Sequence, residues 1–157
     1  MTQTMSACGV LCSSCPAFNA SLKGVAHQNR TAAAWRRIYR LKEPAENISC
    51  GGCQAPEDQL FHTCRRCKAR QCCRAGGFTT CAECSVKSCA LLEKAQAVWD
   101  GVPKLEKKLS RAEFTKYAKP YCGHRERLER ERRAIQSRGS SERRERLFKS
   151  GDSSEMT

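Results

Sequence analysis

The spacing of the cysteines constrains this chain more than any other feature. Cys64-x2-Cys67-x4-Cys72 recurs seventeen residues later as Cys81-x2-Cys84-x4-Cys89, and Cys50-Gly51-Gly52-Cys53 stands ahead of both. Two residues between thiols let a tight turn bring both sulfurs to one cation, with backbone N–H groups free to point at them. These eight thiols are the number that two closed four-cysteine sites require. The spacing leaves their division open. A sequential split groups Cys50, Cys53, Cys64 and Cys67, then Cys72, Cys81, Cys84 and Cys89; a cross-braced one exchanges pairs.

A second group lies at the start of the chain, in Cys8-Gly9-Val10-Leu11-Cys12-Ser13-Ser14-Cys15-Pro16. Its x3 and x2 spacing resembles the cluster motif of radical S-adenosylmethionine enzymes. Those enzymes build a partial βα barrel, however, and this chain has neither the length nor the strand–helix alternation for one. A third structural site is the simpler expectation. Cys122 is the candidate for its fourth ligand, with His124 and His62 behind it. Three sites of four use twelve of the thirteen cysteines and leave Cys73, adjacent to Cys72, as the spare.

Metal is expected in place of disulfides. The first residues show no basic and apolar signal segment, no run approaches a membrane span, and the cysteine count is odd. The expected location is the cytoplasm, where dense cysteine patterns more often mean metal sites than disulfides. Large apolar residues are sparse, with 5 Phe, 3 Tyr and 2 Trp in 157 residues, so the bound ions are expected to supply part of the stability.

Hydrophobic periodicity predicts a small, metal-stabilised, mainly α protein with irregular cysteine-rich loops and at most short β-hairpins. Residues 1–102 form the cysteine-rich domain, 103–149 a basic, Arg/Glu-rich helical extension, and 150–157 a disordered tail. Within the first part, Phe18, Leu22 and Val25 suggest a helical face that breaks at Asn29-Arg30-Thr31. Thr31 is then the expected cap of a second helix carrying Trp35, Ile38 and Tyr39, ended by Pro44. A helix is expected over Ala90–Asp100, then another opened by Pro103 and running through Leu105, Leu109 and Tyr117. The last helix is expected to fray near Ser137–Ser141.

Taken together, Cys8-Gly9-x2-Cys12-x2-Cys15-Pro16, the Trp-bearing helix, Cys50-x-Gly52-Cys53 and the two triplets resemble a cysteine-rich family of bacteria and archaea. That family is known as domain of unknown function 3795. The likeness spans roughly residues 7 to 95, with Cys73 and Cys122 outside its pattern. It implies metal binding by the cysteines and no established reaction.

The expected function is therefore a metal-binding module that acts by binding a partner, more in keeping with a non-enzyme. Two to three zinc ions are expected, because the Cys64–Cys72 segment is strongly polar and suits a solvent-facing structural site. The apolar Cys8–Cys12 loop suits [4Fe–4S] clusters, which makes an iron–sulfur redox or electron-transfer protein the alternative. A third reading is a nucleic-acid-binding zinc protein. Between Pro103 and Lys149 there are sixteen Lys/Arg against seven Glu, so +9 of the net +13 resides there. Arg125, Arg132, Arg133, Arg143 and Arg144 are the candidate phosphate contacts. Interleaved glutamates favour a solvated, salt-bridged helix instead. No membrane partner is expected.

Overall fold

In the computed structural model, residues 4–86 and 88–151 are described, with side chains through residue 140. The α-helices among them are α1 (Val25–Tyr39), α2 (His62–Arg65), α3 (Lys68–Ala75), α4 (Ala90–Ala97), α5 (Arg111–Tyr117) and α6 (His124–Gly151). Short 3-10 turns and cysteine loops connect them. The described residues contain no strand, only isolated bridges between Met5 and Leu11 and between Phe18 and Cys50. The mainly α expectation is met, and the allowance for hairpins reduces to those two bridges.

Helix α1 differs from its expected form. It begins at Val25, after a glycine in the left-handed region (Gly24, φ 79°), and runs unbroken through Asn29-Arg30-Thr31. The reason is burial. His27, Thr31 and Trp35 recur every four residues and face inward, so Thr31 is a core residue with no exposed surface and not a cap. The His27 ring turns back to accept the Lys23 N–H at 3.1 Å, satisfying one donor at the helix start. Residues 16–22, expected to be helical, form turns with a single 3-10 segment at Asn19–Ser21.

The helix expected from Pro103 onward divides in two. A 3-10 segment covers Val102–Lys107, and α5 starts afresh behind Ser110. Ser110 makes a capping box: its hydroxyl accepts the Glu113 N–H, while the Glu113 carboxylate accepts the Ser110 N–H. Ser110→Ala is expected to lower stability by about 1 kcal/mol. Urea titration checks this; an unchanged midpoint would remove the cap from the account of α5.

Helix α6 continues through the serines where fraying was expected. Ser137 and Ser140 return their hydroxyls to the carbonyls of Arg133 and Gln136, each 3.0 Å away, which satisfies the side chains without leaving the helix. Ser150 and Gly151 close α6. The remainder of the expected 150–157 tail lies outside the described residues.

Among the described residues, an apolar core draws side chains from both sides of position 102/103. It joins Cys8, Val10, Trp35, Ile48, Cys50 and Phe61 to Val102, Tyr117, Ala118, Tyr121 and Leu128. Trp35 meets Phe61 edge-on at 5.5 Å. The segment that matters most for the site is Ala118–Leu128, which lies over the first cysteine loop. Pro120 accepts the Leu11 N–H at 3.1 Å, and Arg127 donates to the Gly9 carbonyl. No helix among the described residues is long and apolar enough to cross a membrane.

Candidate metal centre

Three chain segments build the site. The first, Ser6–Cys15, is a tight loop in which the Ser6 hydroxyl accepts the Val10 N–H at 2.9 Å and lies 3.3 Å from the Cys8 sulfur. Gly9 turns the loop with φ 100°. The second is Cys50–Cys53. Asn19 fastens it to the first: its N–H donates to the Cys50 carbonyl and its amide oxygen accepts the Cys50 N–H, both at 2.9 Å. The third is the short helix α2, which carries Cys64.

Arg70 holds the second segment from below. It is 1 % exposed and donates to the carbonyls of Cys53 and Ala55 at 2.9 and 3.2 Å, with Glu57 its nearest carboxylate at 3.8 Å. A buried guanidinium needs negative charge or several acceptors to offset its lost hydration. Here it has the carbonyls and, nearby, the Cys50 and Cys53 sulfurs, both of which its charge favours as thiolates.

These segments bring Cys12, Cys15, Cys50, Cys53 and Cys64 together. The Cys12 and Cys53 side chains hydrogen-bond each other, as do Cys50 and Cys64. In each pair the hydrogen bond favours the thiolate of one member and the thiol of the other. The hydrogen bond from Cys64 lowers Cys50 to about 6, against burial, with help from the Phe61 and Gly52 N–H groups and Arg70. Cys64 is pushed up correspondingly, by that same bond and then by burial. In the other pair the Cys12 hydrogen bond lowers Cys53 to about 7, aided by the Ala7 N–H, while Cys12 goes up. Cys15 has no thiol partner of this kind. Burial raises it, and the Tyr121 hydroxyl at 3.3 Å and the Ala17 and Phe18 N–H groups act in the opposite sense.

A second set forms around Cys81. Cys73 and Cys81 hydrogen-bond each other, Cys73 also donates to the Phe78 carbonyl at 3.3 Å, and Cys8 and Cys89 are close enough to act on Cys81. Burial pushes Cys81 up to about 12 and Cys8 up to about 11. The charges of Cys53 and then Cys67 add to the rise of Cys8. Among the described residues, no three His, Cys, Asp or Glu side chains stand as a ready-made ligand group. The thiols are instead engaged pairwise.

The spacing left the division of the central cysteines open, and the structure brings the thiols together across the motifs. Cys12 and Cys15 join Cys50, Cys53 and Cys64, while Cys8 is near enough to both Cys53 and Cys81 for charge to act between them. Cys73, expected to be the spare, has a thiol partner. Cys72 is exposed, and Cys84 is half-buried. Cys122 donates to the Ala118 carbonyl at 3.5 Å, and the charges acting on it are Glu106 and Arg127. His62 sits 3.1 Å from Glu43; His124 bonds the Tyr121 carbonyl at 3.0 Å and approaches Asp100 at 3.4 Å. The basic residues among the cysteines suit neutralisation of thiolate charge, but nothing in the sequence singled out Arg70 among them. Tyr121, a single aromatic far along the chain, had no signal at all.

Three of the five candidate nucleic-acid arginines have partners within the protein. Arg125 pairs with Glu93 and Asp100 at 2.7 and 2.8 Å, Arg132 bonds Glu129 and the Cys81 carbonyl, and Arg133 meets Glu129 at 3.5 Å. The side chains of Arg143 and Arg144 lie outside the described part.

The fold and its thiol sets define a small, mainly helical, cysteine-rich protein. Residues 4–94 match the family model described as "Protein of unknown function (DUF3795)". That is more than half of the chain, and the chain belongs to this family. No curated protein and no protein of solved structure matches it.

Proposed function

We propose that this chain is a zinc-binding module whose ions stabilise a thin core and whose role is to bind a protein partner. The observation that carries this reading is the meeting of five thiols from three segments, with backbone N–H groups already directed at Cys15, Cys50 and Cys53. The donor set fits a thiophilic cation. It offers two Cys-x2-Cys pairs, N–H donors that favour thiolate over thiol, and the Arg70 charge beside the loop. Cys12, Cys15, Cys50 and Cys53 would hold one ion, with Cys64 a fifth thiol against Cys50. Cys73 and Cys81, with Cys8 and Cys89, would supply the second. Bound zinc contributes thiolate bonds that cross-link loops otherwise joined by few contacts. A protein partner is favoured over nucleic acid because Arg125, Arg132 and Arg133 already meet carboxylates.

Burial favours a second reading, an iron–sulfur redox protein on the same five thiols. Cys50 is buried and the other four partly so, in the apolar, N–H-rich setting that tunes cluster potentials. Anaerobic purification with metal analysis and a visible spectrum separates the two. The expected result is zinc at two ions per chain and a colourless protein. A brown protein holding iron and sulfide would replace zinc with the second reading. Substoichiometric zinc and iron together would overturn both.

A further inference from the structure

Tyr121 sits 106 residues from Cys15 in sequence and lies beyond the family-matched part of the chain, yet its hydroxyl is 3.3 Å from the Cys15 sulfur. The ring is 4 % exposed. Trp99 stacks on one face with centroids 4.6 Å apart and planes 13° from parallel, while Tyr39 meets it edge-on at 6.1 Å. Two aromatic neighbours fix the ring, so the direction of the hydroxyl is set by packing. The backbone on either side is fixed as well: Pro120 accepts the Leu11 N–H, and the Tyr121 carbonyl accepts from the His124 ring. A phenol aimed at a sulfur in this way has one strong use. An O–H donated to a thiolate lowers the energy of its lone pairs and spreads its charge, which tunes any cation bound there.

We propose that Tyr121 is a positioning residue of the metal–thiolate centre, holding and tuning the Cys15 ligand through its hydroxyl. The segment 118–128 thereby completes a site whose cysteines all lie within the family-matched part. The inference rests on the metal-binding reading above and adds to it a residue that no cysteine pattern contains. Tyr39 supplies the control. It belongs to the same aromatic cluster and also makes one half-buried hydroxyl bond, but to the Tyr117 carbonyl at 2.6 Å and not to sulfur.

The experiment loads the full chain and its Tyr121→Phe and Tyr39→Phe variants with Co2+, following the thiolate-to-cobalt charge-transfer band and competition by a chelator. Loss of the Tyr121 hydroxyl leaves the Cys15 sulfur a better electron donor, so that band moves to longer wavelength. Cobalt affinity falls by roughly tenfold, the low end of what lost outer partners of metal ligands cost. Tyr39→Phe keeps the wild-type band. Spectra of Tyr121→Phe and wild type that superimpose would overturn the proposal while leaving the metal centre standing. Equal shifts in both variants would reduce Tyr121 to ordinary packing, and a wild-type chain that takes up no cobalt would overturn the metal reading together with this one.

Discussion

On the proposed zinc reading, replacing Cys50 and Cys53 together by serine is expected to abolish the first metal site and, with it, most of the tertiary structure. Structural zinc contributes about 10–16 kcal/mol of apparent binding energy to small domains. The whole stability of a domain this size is about 5–15 kcal/mol. Cys50 is itself part of the apolar core, and its loop carries the contacts from Asn19 and Arg70. Removing the two thiols therefore releases three segments from one another at once. The measurement is near-UV circular dichroism, reporting the fixed environments of Trp35 and Trp99, alongside metal stoichiometry. Flattened signal with retained far-UV helicity is the expected pattern, since α6 carries its own ion pairs, such as Arg132–Glu129 and Arg138–Glu131. A metal-free variant with native near-UV signal and cooperative unfolding would show that the core stands without its ions.

Gly9→Ala should be the most damaging single substitution outside the cysteines. A Cβ built on Gly9 would fall 2.1 Å from the His124 carbonyl oxygen and 3.1 Å from the Leu128 Cβ, on a backbone with φ 100°. The loop cannot retreat without losing the Arg127 bond to the Gly9 carbonyl and the register of Cys8 and Cys12. A loss of about 4 kcal/mol or more is expected, the range reserved for disrupted packing and strained backbone together. Gly24→Ala separates the two causes. Gly24 also has positive φ, at 79°, but a Cβ there would meet nothing within 4 Å. Its cost should stay within the roughly 1–3 kcal/mol of the backbone term alone. Equal midpoints for the two variants in urea would contradict the close approach of α6 to the first cysteine loop.

What the sequence revealed was local. Two-residue spacing between thiols reports on a turn, and turns are set by neighbours along the chain, so Cys12, Cys15, Cys50 and Cys53 were legible as pairs. Helix α4 was legible locally as well, from the apolar positions Leu91, Leu92 and Ala95. The meeting of Cys12 with Cys53 was not, because Asn19, Arg70 and the Phe18–Cys50 bridge bring those pairs together, and none of these has a signature at a distance. Periodicity also misled where a polar residue was buried. Thr31 reads as a cap until its place on the His27–Trp35 face is known. The serines at 137 and 140 read as helix breakers until their hydroxyls are seen to fold back on the carbonyls of Arg133 and Gln136. Tyr121 was beyond reach in principle, since one aromatic residue carries no pattern.

The contact between Arg127 and Gly9 spans 118 residues. A ribosome adding about 5–20 residues per second takes roughly 6–24 seconds to cover that distance. Throughout that interval Cys8, Cys12 and Cys15 have emerged but lack the segment that later covers them. The first loop is thus made well before the segment that encloses it, so the growing chain offers these three thiols to solution before anything can guard them.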